Sequence, residues 1–175
     1  MAKPIDRILS HVERLVVWFA AAGATVILIQ MVWISYAVLV RYGLGKPDRF
    51  ATETTALLLF PVAFAGMAYA LREDAYPKVT MVTDLLSSRR RFFDIVNHVL
   101  MLGTGLFFSY AGVSASFRTF HSGAASEILE LPRYIFWIPG ACALVLFALY
   151  TGLRLIRLLQ SPAEAEALRP WNGIM

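Results

Sequence analysis

Apolar and polar positions fall along this chain in long blocks rather than in short alternation. Four blocks carry no Asp, Glu, Lys or Arg: Leu15–Val40, Thr54–Leu71, Ile95–Phe117 and Tyr134–Leu153, of 26, 18, 23 and 20 residues. Roughly 20 apolar residues in a helix cross the hydrocarbon of a bilayer. A helix is also the only open segment that satisfies its own backbone there. The pattern therefore predicts an all-α integral membrane protein, one domain over residues 1–175 with spans at about 15–40, 52–71, 95–117 and 134–158.

The connections carry weaker patterns. Between the second and third spans, Val79, Val82 and Leu86 recur at i, i+3 and i+7, with Thr80, Thr83, Asp84 and Ser87 largely on other faces. That spacing predicts a short helix lying flat in the interface, with Pro77 in its first turn; a surface turn against a protein partner fits the same residues. In the third connection Ser122-Gly123 marks a turn, and Ser126 through Leu131 reads as a short helix that Pro132 stops. Good helix formers after Ser161-Pro162 predict a terminal helix, with Trp171 at the interface.

Inside the spans, small residues recur at the spacing that lets helices approach closely: Gly105, Ser109, Gly112 and Ser116 in the third, Ala56, Ala63, Gly66 and Ala70 in the second. Each stripe suits either a contact within the chain or one with a second chain. Gln30, near the middle of the first span, is expected to donate a hydrogen bond to a neighbouring helix. Trp18, Trp33, Trp137, Tyr36, Tyr42 and Tyr134 lie near span ends, as an aromatic belt does.

Composition strengthens this reading: 58% of residues are hydrophobic and 16% charged. A net charge of +4 would suggest nucleic acid in a soluble chain, but here the basic residues sort by connection. The two tails and the middle connection hold eleven of the sixteen Lys and Arg, and the first and third connections hold five. By the positive-inside rule both termini are cytoplasmic, and Arg89, Arg90 and Arg91 anchor that topology at anionic lipid headgroups rather than at nucleic acid. The apolar run near the N-terminus is far longer than a signal-peptide core and reads as a retained helix. Cys142 is the single cysteine, so no disulfide forms within the chain.

The spans also bound the chemistry. A proton or ion path would place an acid or base deep in a span, and none is there. His11, His98 and His121 do not form the facing pair that haem requires. No nucleophile-base arrangement, zinc spacing or phosphate loop is present, so neither enzyme activity, a cofactor nor a metal is expected. A haem- or quinone-binding four-helix redox subunit is the alternative class.

Glu53 opens the second span, where helix amides and the helix dipole favour a carboxylate, so capping is its simplest role. Yet Arg41, Lys46, Asp48 and Arg49 crowd the same connection, which suits a polar cluster at a protein contact. Here the order of residues resembles a known family. The first helix ends in Arg41-Tyr42, a turn with Gly43 and Gly45 follows, then the aromatic Phe50 and the acid Glu53; Gly66, "LREDAYPKV" and "TDLL" come next, and "LELPRY" precedes the fourth span. Over residues 30 to 160 this is similar to the small, DctQ-like membrane subunit of tripartite ATP-independent periplasmic (TRAP) transporters. Phe50, Thr52, Tyr76 and Thr80 depart from that family's usual residues.

The resemblance implies a non-catalytic bacterial inner-membrane subunit. It would brace a large, sodium-coupled membrane subunit during uptake of an organic acid delivered by a periplasmic substrate-binding protein. The subunit itself would hold no cofactor. The expected interface residues are Arg41, Tyr42, Arg49, Phe50 and Glu53 in the first connection, and Gly66, Gly105, Ser109 and Gly112 on helix faces.

Overall fold

A computed structural model describes residues 4–45, 49–76 and 90–160. Its helices are α1 (Pro4–Leu44), α2 (Arg49–Ala65), α3 (Met67–Arg72), α4 (Arg90–Ser122) and α5 (Tyr134–Gln160). Among the described residues, four helical segments are long and apolar enough to cross a membrane, α2 and α3 together making the second. The expected interfacial and terminal helices, Lys46, Asp48 and Arg89 lie outside the described residues. Arg90 opens α4, with Arg91 next.

The helices run alternately up and down, so the bundle has two ends. The end holding the start of α1 also holds α3 and the last turns of α5; we call it the near end. The far end holds the end of α1, the start of α2 and the loop between α4 and α5.

At the near end α1 begins well before the charge-free block, and residues read from sequence as a tail belong to the core. Leu9, Val12 and Val16 are buried together with Ala68, Leu71, Phe147 and Tyr150. They recur at i, i+3 and i+7, one helical face, while Arg7 and Arg14 stay exposed. With 41 residues, α1 is about 60 Å long, twice a bilayer's hydrocarbon thickness. Beyond Ile27 it is only thinly covered: Leu28, Ile29, Val32 and Trp33 remain 41–66% exposed, an apolar surface that belongs in lipid or against another chain.

Close approach fixes the other contacts. α4 and α5 pack antiparallel: a Cβ on Gly105 would lie 3.0 Å from the Phe147 ring, and one on Gly112 would lie 3.3 Å from Leu144. Between them Ser109 is buried, and its hydroxyl donates to the Gly105 carbonyl at 2.7 Å, so it brings no unsatisfied donor into the seam. The third-span stripe is therefore a contact inside this chain. α2 crosses α5 where the Phe60 ring abuts Gly140; a Cβ there would come within 2.2 Å of the ring. α1 crosses α2 at Gly23, whose Cβ would lie 2.6 Å from that of Ala65.

The second-span stripe behaves differently. Ala56, Ala63 and Gly66 are exposed, and the buried face of α2 and α3 is Ala51, Pro61, Ala65, Ala68 and Leu71. The helix is interrupted for one residue at Gly66, between α2 and α3. Among the described residues the carboxamide nitrogen of Gln30 has no hydrogen-bond partner, so the donation expected across the first span is not made there.

Candidate functional site

The far end is organised around one carboxylate. Glu53 is the fifth residue of α2, half-buried, and does not cap the amides of its own helix. The backbone N–H of Ile128 donates to Oε1 and Oε2, each at 3.1 Å, and that of Leu129 donates to Oε2 at 2.9 Å. The capping reading is corrected accordingly: Glu53 is the acceptor for a loop 75 residues further along the chain.

That loop is not the short helix expected over Ser126–Leu131. An isolated bridge pairs Ala125 with Pro132, and inside it Ser126 N donates to Leu131 O at 2.8 Å. Leu131 N donates in turn to Ser126 Oγ at 3.3 Å, and Ser126 is buried. Glu130 has φ 53°, a left-handed conformation that no α-helix continues through. The amides of Ile128 and Leu129, which a helix would turn along its own axis, point instead at Glu53. Gly123, with φ 62°, makes the predicted turn leading in.

The expected interface residues separate into three groups. Arg41, Tyr42, Arg49 and Phe50 are exposed around the α1–α2 connection, Tyr42 at 82% and Phe50 at 53%. Glu53 is engaged by the loop. Gly105, Ser109 and Gly112 face α5 inside the chain, whereas Gly66 is open, with nothing within 4 Å of an added Cβ.

A second polar cluster, at the near end, was not singled out from sequence. Arg154, counted with the tail, lies within α5, and its guanidinium donates to the Leu71 carbonyl and to Asp74 Oδ1, the latter at 3.0 Å. Asp74 has φ 52° and turns the chain away just past α3; its amide donates to the Leu71 carbonyl at 3.3 Å, and Arg154 gives that carbonyl a second donor. Beside it the Tyr76 hydroxyl donates to Met67 O at 3.1 Å, and burial pushes its pKa up, which keeps it a donor. Tyr76 thus packs against the end of the second span. Only the spacing of Arg154 from the end of the fourth block could have hinted at this clamp.

The histidines do not converge. His98 Nδ1 lies 2.9 Å from the Asp94 carbonyl of its own helix, and His121 lies among Phe117, Phe120 and the last turn of α4. Among the described residues no three His, Cys, Asp or Glu side chains are grouped to hold a metal.

Comparison with known proteins adds one match. The family described as tripartite ATP-independent periplasmic transporters, DctQ component, matches over residues 30–161, about three quarters of the chain. The matched segment includes Glu53, its loop and Arg154, and leaves out Leu9, Val12 and Val16. No curated protein and no solved structure matches.

Proposed function

Because the chain belongs to the DctQ component family of tripartite ATP-independent periplasmic transporters, we propose that it is the small permease subunit that braces a large membrane partner without performing transport itself. The observation that carries this reading is the absence of any Asp, Glu, Lys or Arg from the four apolar blocks. A subunit that bound and released sodium or protons in mid-membrane would keep such groups there. Sodium coupling, substrate choice and the moving parts then belong to the large subunit, an organic acid is delivered by a periplasmic binding protein, and this subunit holds no cofactor.

In the same reading the chain is one four-helix domain of the bacterial inner membrane with both termini cytoplasmic. The thinly covered outer half of α1 and the exposed Arg41, Tyr42, Arg49 and Phe50 supply apolar area and rim polarity for the large subunit. Gly66 lies on the outward side of the second span and allows close helix approach. Gly105, Ser109 and Gly112 contribute indirectly, by holding α4 against α5.

Co-expression tests the assignment. The chain should co-purify from detergent with a large multi-span membrane protein encoded beside it. Proteoliposomes containing both should take up an organic acid in the presence of the binding protein and a sodium gradient. Liposomes containing this chain alone should accumulate none; solute accumulation there would overturn the brace.

A further inference from the structure

Two neighbouring backbone amides, Ile128 and Leu129, converge on one carboxylate at 2.9–3.1 Å, and neither belongs to a regular helix or strand. Bonds within the loop that presents them help to close it, namely the Ala125–Pro132 bridge, the Ser126–Leu131 backbone bond and the bond from Leu131 N to the Ser126 hydroxyl, while the Ser126 side chain and the Glu127 amide also interact with the Glu53 carboxylate. The loop's two ends are therefore held together by backbone bonds that do not involve the carboxylate. Adjacent N–H groups oriented in this way form an anion-binding concavity, and bonds from amides to an ionised carboxylate are stronger than those to a neutral acceptor.

We propose that the loop 124–132 is a carboxylate-binding nest, with the Glu53 side chain as its resident ligand and free small monocarboxylates as its ligand class when that side chain is removed. Glu53 prevails in the native chain because it is tethered beside the nest at high effective concentration. Beyond Cα its side chain has the size and chemistry of propionate. The nest makes the far end a single unit in which α2 and the α4–α5 loop are joined by a charge-assisted contact. This inference goes beyond the proposed brace and does not depend on any partner.

Hydrogen exchange of the purified chain in nanodiscs, near neutral pH and at fixed ionic strength, tests it. In Glu53→Gly the amides of Ile128 and Leu129 should exchange about tenfold faster or more than in the native chain, as loss of a charge-assisted bond dictates. Propionate, and less effectively formate, should restore their protection, whereas propionamide and chloride should not. Protection that persists in Glu53→Gly without added carboxylate would overturn the proposal. So would propionate without effect while the amides of α4 and α5 stay as protected as in the native chain. If that variant fails to fold, Glu53→Gln decides: it keeps one acceptor oxygen but presents an NH2 group to a donor, so protection should fall partway. Native protection in Glu53→Gln would show that the nest does not select a carboxylate.

Discussion

At the scale of single residues, the near end depends on Arg154. Its side chain and that of Asp74 are only 20% and 21% exposed, and its guanidinium also serves a backbone carbonyl at the end of α3. Arg154→Ala would leave a carboxylate and a carbonyl in a half-dry crevice without their strongest donor. Loss of a hydrogen bond to a charged group costs about 2 kcal/mol. The melting temperature in detergent should accordingly fall by about 5 °C. Arg154→Lys keeps the charge but loses the planar fork and should recover only part of that. Unchanged melting of Arg154→Ala would mean that the clamp contributes nothing. In the sequence this arginine reads as the first charge after an apolar block, because a charge ends a hydrophobic run without ending a helix. α5 continues to Gln160 and carries the guanidinium back against α3.

At the scale of elements, the helix crossings rest on missing side chains. Phe60 lies on Gly140 while its ring also packs against Trp137 at 4.6 Å and Phe64 at 5.1 Å, so it has little freedom to withdraw. Gly140→Ala should destabilise the bundle by about 1–3 kcal/mol through overpacking. Combining it with Phe60→Ala should cost less than the sum of the two single changes, since the clash disappears with the ring. Gly103→Ala is the control: it is helical, has open space around it and should be neutral or slightly stabilising. Thermal unfolding of the four variants checks this, and additive effects of Gly140→Ala and Phe60→Ala would refute the crossing.

The same elements show what the sequence made legible. Hydrophobic blocks define where spans lie because the bilayer imposes length and apolarity on each segment separately. They say nothing of which faces meet. The stripe of Gly105 and Gly112 was visible, but only the fold decided that it faces α5 and that the stripe of Ala56 and Ala63 faces outward. Leu9, Val12 and Val16 carried a readable helical spacing that the nearby charges obscured. Ser126–Leu131 reads as a short helix in the sequence, and forms a bridged loop instead, because local propensity cannot register an acceptor 75 residues away.

For the whole molecule, the fold divides the chain into two ends and the charges give those ends a direction. In the sequence the two tails and the middle connection hold eleven Lys and Arg and the other two connections hold five; the described helix ends that lead into the first set lie at the near end, and those that lead into the second lie at the far end. Basic residues resist translocation, so the near end should face the cytoplasm. Cys142, exposed on α5, is replaced by alanine first, and reporters are then placed at exposed positions as Ser10→Cys and Ser122→Cys. An impermeant maleimide added to intact bacterial cells with the outer membrane opened should label Ser122→Cys at once, and Ser10→Cys only after the inner membrane is breached. Changing Arg89, Arg90 and Arg91 to alanine lowers the near-end count from eleven to eight and should produce a fraction of inverted molecules in which the labelling pattern reverses. Labelling of Ser10→Cys in unbreached cells would reverse the orientation. The Glu53 nest would then face the cytoplasm, beyond the reach of any periplasmic protein.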